Sequence, residues 1–182
     1  TEANNLAILG SIPNSVEFSG KEDKCEEARR ATRTSQTTNP MSDEASKFKW
    51  DGYRTGKVKE AWCFQGDHPS VTSPMEELKR RGWVIKDLPY QQGRISFEQF
   101  SQLDFTKTSL VVFTHINHQS GYGCPFTELT ATIKKQNPHV WMHVDGSQAA
   151  GKDFISFRKS SIDSYAISSH KFGGPKGIAL LL

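Results

Sequence analysis

Cysteine is scarce in this chain of 182 residues: Cys25, Cys63 and Cys124 are the whole complement, and no two form a C-x-x-C pair. An odd, widely spaced set excludes a disulfide scaffold and offers no zinc-ligand spacing. It suits reduced thiols, hence an intracellular compartment, cytoplasmic or mitochondrial. Long apolar runs are missing too. None approaches the ~20 residues that cross a bilayer, and no signal peptide is visible, so no membrane partner is expected. Concentrated charge is also lacking. The formal net charge is +3 and the basic residues are scattered, which excludes the dense basic face of a nucleic-acid binder. No internal repeat is present. The chain opens on Thr1 and closes on the apolar run Ile178 to Leu182, so both ends read as cut from something longer.

What is there suits one globular unit with a sizeable core: 35% of residues are hydrophobic and 24% charged. Residues 11–60 form a polar stretch with few periodic apolar positions, containing Thr34-Ser35-Gln36-Thr37-Thr38-Asn39-Pro40. Such a stretch buries too little apolar surface to offset its ordering entropy, and it is expected to be a loop or mobile insertion. Beyond it the pattern becomes regular. Short apolar runs suited to buried strands lie at Ala61–Phe64, Trp83–Leu88, Ser109–His115, Val140–Val144, Ser164–Ser168 and Ile178–Leu182. Helices are expected between them. One is capped by Ser73, with Pro74 first and Glu76 three residues after the cap, and ends at Gly82 after Lys79, Arg80 and Arg81. Two more span Ser96 to Leu103 and Pro125 to Lys135. Strands alternating with helices predict an α/β fold with a mostly parallel, two-sided sheet, whose ligands gather at the carboxyl ends of strands.

Two strand ends carry the chemistry. Val140–Val144 delivers Asp145 into the small-residue turn Gly146-Ser147-Gln148. A carboxylate there can meet a ligand cation or metal, or can serve as a cap or loop acid. Ser164–Ser168 leads into Ser169-His170-Lys171-Phe172-Gly173-Gly174-Pro175-Lys176-Gly177. A lysine at such a place can be a surface residue before a turn, or a nucleophile for Schiff-base chemistry once its surroundings lower its pKa. The glycines fit neither a P-loop nor G-x-G-x-x-G, since Phe126 occupies the third glycine's place after Gly121 and Gly123. His115, His118, His143 and Asp145 fall at predicted strand ends, which leaves a metal-dependent hydrolase open as a rival class. No H-E-x-x-H or similar compact motif supports it, and no metal is expected.

Taken together the segments resemble the class V aminotransferase family of pyridoxal-phosphate enzymes, nearest to its cysteine desulfurases and selenocysteine lyases. Thr1-Glu2-Ala3-Asn4-Asn5-Leu6-Ala7 resembles the end of their G-A-T-E-x-N-N motif, and Asp67-His68-Pro69-Ser70-Val71 their E-H-x-[AS]-V. Thr114 to Gly121 with Pro125 is similar to H-V-N-N-E-x-G…P, Val144 to Gly151 to D-[AG]-x-Q-A-x-G, and Ser168 to Gly177 to S-x-H-K-[FIM]-x-G-P-[KR]-G. The five occur in the family's order and cover nearly all of the chain outside residues 11–60.

The resemblance implies most of a large three-layer α/β/α domain of fold type I, with the small C-terminal domain lying outside this chain. It implies pyridoxal 5'-phosphate as cofactor, with Lys171 as its Schiff-base lysine and proton shuttle and Asp145 paired to the pyridinium nitrogen. Gln148 would bond the ring oxygen, and His68 would stack on the ring and serve in acid–base steps. Thr1, Ser168 and His170 would hold the phosphate. His118 stands where the family has the Asn that helps hold the ring oxygen and substrate, and Gln119 replaces its acidic neighbour. The implied reaction is cleavage of the Cβ–S or Cβ–Se bond of cysteine or selenocysteine. It brings with it a sulfur-acceptor protein, a homodimeric whole enzyme and a place in iron–sulfur cluster assembly. The departures at 118 and 119 leave another class V reaction open, transamination or epimerisation. The family's sulfur-accepting cysteine and substrate-binding arginine lie well beyond the lysine, and none of Cys25, Cys63 or Cys124 matches that cysteine. A truncated, non-catalytic paralogue is the reading from outside enzymology.

Overall fold

The computed structural model describes residues 2–10 and 59–182. Almost all of the expected insertion, residues 11–58, lies outside the described residues, as do Thr1 and Cys25. Glu60, placed in that insertion from the sequence, belongs instead to the first strand and is buried.

Helix α1 (Glu2–Gly10) precedes β1 (Glu60–Cys63), α2 (Pro69–Arg80) and β2 (Val84–Asp87). A small hairpin, β3 (Tyr90–Gln91) and β4 (Arg94–Ile95), and the short α3 (Phe97–Ser101) lead to β5 (Thr108–Thr114). Then come α4 (Phe126–Gln136), β6 (Trp141–Asp145), β7 (Ser164–Ser168) and β8 (Ala179–Leu181). The main sheet has the order β2-β1-β5-β6-β7-β8. All its pairings are parallel except β7 with β8. The α/β class and the mostly parallel sheet therefore stand as expected, and the six strands fall within a residue or so of the apolar runs.

Each central strand is buried on both faces, and alternation sorts its side chains. Ala61, Cys63, Leu110 and Val112 face one way, against Ile8 of α1 and Val71, Met75 and Leu78 of α2. Trp62, Val111, Phe113, Met142 and Val144 face the other, against Phe126, Leu129 and Ile133 of α4. By the same alternation His143 and Asp145 of β6 share the face that α1 covers. That face thus carries a polar patch inside a buried layer.

One helix start differs from expectation. Ser73 does not cap α2: the helix begins at Pro69 with His68 as its cap, and Pro74 lies inside it. The apolar stripe decides this. Val71, Met75 and Leu78, spaced to share one face, are all buried, and the stripe begins before Ser73. Pro69 at the first position loses nothing, whereas Pro74 lies in the second turn and has no N–H to donate to the Ser70 carbonyl. Ser96 caps α3, accepting from Gln99 N at 3.4 Å; α4 begins with Pro125 as its cap. The hairpin escaped sequence reading. Its turn uses Gln92 at φ 49° and Gly93 at φ 77°, a left-handed pair that a Gln-Gln-Gly run does not announce.

Candidate active site

Four parallel strands end on one edge of the sheet, and each hands on a segment that lines the same cavity. β1 leads to His68 and Ser70; β5 ends at Thr114 and continues to Ile116 and His118. β6 ends at Asp145 and continues to Ser147 and Gln148; β7 ends at Ser168 and continues to His170 and Lys171. The cavity has a volume of ≈ 280 Å³, at the small end of the ~300–1,000 Å³ usual for ligand pockets. Of the residues singled out from sequence, His68, His118, Asp145, Gln148, Ser168, His170 and Lys171 come together in it. Thr1 lies outside the described residues.

Asp145 is 4% exposed. Its Oδ1 accepts from Ser147 N at 2.9 Å and its Oδ2 from Asn4 Nδ2 at 2.8 Å. The backbone needs Gly146 between them: a Cβ there would overlap the ring of Tyr165. Lys171 and His170 sit on a single 3-10 turn, Ser169–Phe172. Gly173 closes that turn at φ 92°, its N–H returning to Ser169 O.

His68 is fixed from its own helix. Its Nδ1 accepts from Ser70 N at 3.1 Å and lies 2.9 Å from Ser70 Oγ. With Nδ1 an acceptor, the ring proton resides on Nε2. The His118 ring meets it edge-on, with centroids 5.2 Å apart. Partial desolvation, then the neighbouring His118, hold the His68 imidazole below its ordinary range, with Asp145 opposing. Behind this pair, buried Asp67 accepts from Asn117 Nδ2 at 3.4 Å. This joins the residue before His68 to the residue before His118. Burial pushes the Asp67 carboxyl up to about 7.

Sequence reading missed Asn4 and Ser70 as parts of the site. Both lie within segments singled out for other residues, which was the available signal. Asn4 is 1% exposed. Its Nδ2 also donates to Ser70 Oγ at 3.0 Å, while its Oδ1 faces His143 Nε2 at 3.1 Å.

Two of the histidines named for the rival metal reading have partners at both ring nitrogens. His143 Nδ1 meets Ser164 Oγ at 2.9 Å and its Nε2 meets Asn4. His115 bonds Tyr165 OH at 2.8 Å and Asp153 Oδ2 at 3.1 Å. Among the described residues no cluster of three or more His, Cys, Asp or Glu could hold a metal ion. Cys63 and Cys124 are buried free thiols, each pushed up to about 12 by burial, and neither lines the cavity. No helix among the described residues is long and apolar enough to cross a membrane.

Comparison with known proteins agrees with this geometry. The family model described as aminotransferase class-V matches residues 34–182. A mitochondrial cysteine desulfurase of Arthroderma benhamiae is 32% identical over 126 residues, which are 69% of this chain and 25% of that protein. A solved NifS-like protein superposes with a TM-score of 0.65 at 30% identity, over 68% of this chain and 34% of its own. SspA in complex with cysteine gives a TM-score of 0.62 at 25% identity, over 68% of this chain and 35% of its own. The chain thus spans a quarter to about a third of the length of these relatives. On the family match, and on a site built at the strand ends where the family's motifs fall, the chain belongs to the class-V aminotransferase family.

Proposed function

We propose that the cavity binds pyridoxal 5'-phosphate and that the chain is the cofactor-carrying part of an enzyme like a cysteine desulfurase or selenocysteine lyase. The observation that carries the reading is the donor set converging on one cavity. A buried carboxylate, Asp145, lies at a strand end, with a primary amine, Lys171, and imidazoles and hydroxyls around it. That set fits the cofactor's chemistry. Asp145 would face the ring nitrogen, Lys171 Nζ would be the point of covalent attachment, and Gln148 would bond the ring oxygen. Ser168 and His170, with Thr1, would hold the phosphate. When bound, the cofactor supplies an electron sink for bonds at the substrate's α-carbon.

The chain's own groups are arranged for that role. Asp145 has one oxygen on a backbone N–H and the other on an amide N–H, bonds that fix the orientation of its carboxyl group. His68 presents a neutral ring whose proton sits on Nε2, so that it can donate a hydrogen bond at the cavity wall and orient a flat ligand. Lys171 rides on a tight turn closed by Gly173 and lines the cavity. The substrate reading, cysteine with loss of its sulfur, draws on the relatives' names and on the cysteine bound to SspA; selenocysteine and an acceptor protein draw on the motif resemblance to the family. Membership of a homodimer, a mitochondrial or cytoplasmic address and a role in iron–sulfur cluster assembly draw on the same kinship.

A second reading keeps the cofactor and changes the reaction to transamination or epimerisation. The observation behind it is His118, an imidazole at the cavity wall where desulfurases of the family have an amide. Both readings meet one test. The chain mixed with pyridoxal phosphate should develop an absorption band near the edge of the visible, and borohydride should fix the label on Lys171. Lys171→Ala should show neither. Absence of the band and the adduct in the unaltered chain would overturn both. Release of alanine and sulfide or selenide, against keto-acid or racemised product, then separates them.

A further inference from the structure

The polar patch under α1 has a direction that can be read bond by bond. Asn4 Oδ1 can only accept, so His143 Nε2, 3.1 Å away, carries the imidazole proton. His143 is 0% exposed, and burial brings its imidazole down to about 4, so it is neutral at ordinary pH. Its bare Nδ1 then accepts from the Ser164 hydroxyl at 2.9 Å. With the oxygen of Asn4 committed to His143, both protons of its amide point the other way. One goes to Asp145 Oδ2 at 2.8 Å and one to Ser70 Oγ at 3.0 Å. Ser70 Oγ, having accepted from Asn4, turns its own proton to His68 Nδ1 at 2.9 Å. The sequence of donors runs Ser164, His143, Asn4, then Asp145 on one branch and Ser70 with His68 on the other. The Asn4 amide has a partner for each of its atoms, and a flipped amide would set its oxygen against the Asp145 carboxylate.

We propose that Asn4 is a positioning residue of the cavity. Anchored by the buried imidazole of His143, its amide aims the Asp145 carboxylate and, through the Ser70 hydroxyl, the His68 ring. Neither Asn4 nor His143 lines the cavity, so both act through other residues. The affinity part of the test below rests on the pyridoxal-phosphate reading; the bonding part does not.

The experiment is NMR on the full chain labelled at its histidines and aspartates, without cofactor, followed by titration with pyridoxal phosphate. His143 should be a single Nε2–H tautomer at neutral pH. In Asn4→Leu that tautomer should give way to a mixture, and the Asp145 carboxyl 13C resonance should move. Ala7→Gly weakens the same helix without removing a hydrogen-bonding side chain, and should leave both signals in place. Losing one charge-assisted bond should weaken pyridoxal-phosphate binding about tenfold or more in Asn4→Leu, and less than about twofold in Ala7→Gly. A proton on Nδ1 of His143 in the unaltered chain would overturn the proposal, even if Asn4→Leu failed to fold. So would an unmoved Asp145 resonance in Asn4→Leu, or an equal loss of binding in the two variants. If the unaltered chain bound no pyridoxal phosphate, the functional reading would fall while the tautomer and carboxyl signals still decided the role of Asn4.

Discussion

Replacing Gly146 by alanine tests whether the strand end that carries Asp145 is as crowded as its geometry implies. A Cβ at residue 146 would overlap the Tyr165 ring on the neighbouring strand. Tyr165 is 2% exposed and its hydroxyl bonds His115 Nδ1 at 2.8 Å, so the ring cannot swing away freely. Overpacking of this kind costs about 1–3 kcal/mol. Breaking the Tyr165–His115 bond adds roughly 0.5–1.5 kcal/mol. Gly146→Ala should therefore lower stability by about 1.5–4.5 kcal/mol, read as a shift of the urea midpoint at constant slope. The cause is confirmed by a double-mutant cycle. In a Tyr165→Leu background, where the branched chain stops short of the ring's far atoms, the same alanine should cost less than about 1 kcal/mol. If the two substitutions were additive, the crowding argument would fail. If Gly146→Ala were neutral on its own, the close approach of β6 and β7 at this point would be wrong.

Three further outcomes follow from the same structure. Truncating the fully buried Phe113 to alanine should cost about 3–5 kcal/mol in chemical denaturation, since it empties the centre of the α4-side core. His143 is depressed to about 4, so its contribution to stability is present above pH ~6.5 and is lost as pH falls toward 4. A His143→Gln chain should lose less stability than the unaltered chain between pH 6.5 and 4.5. Asp67 has the opposite sign. Raised to about 7, it favours the fold below pH ~4 and withdraws that support as pH climbs to 7. Asp67→Asn keeps an acceptor for Asn117 and removes that loss, so the variant should gain on the order of a few kcal/mol relative to the unaltered chain between pH 5 and 8. A parallel pair of pH–stability curves would count against the burial of either group.

The strands were legible in the sequence because each is covered on both faces and so reads as an unbroken apolar run. The cavity residues were legible because they sit where such runs end. Two kinds of feature were hidden. Local rivalry hid the start of α2: Ser73-Pro74-Met75-Glu76 has the chemistry of a helix start, and only the packing of Val71 shows that the helix is already under way. Distance hid Asn4. Its partners Ser70, His143 and Asp145 lie 66, 139 and 141 residues along the chain, and no local pattern encodes such meetings. The proline cap of α4 and the Gln92 turn fall between these cases, being local but written in residues that usually do something else.

The distance has a kinetic meaning. A parallel sheet needs a long crossover for each pair of strands, and closing such loops precedes the reward of contact. The Asn4–His143 bond closes 139 residues, so α1 must wait for β6 before its amide finds either of its β-strand partners. The topology therefore predicts that the pocket is among the last things the chain completes. During refolding, tight capture of a ligand that depends on Asp145 should trail the appearance of helix and strand signals. Occupancy of the pocket would then report arrival at the native topology rather than mere compaction.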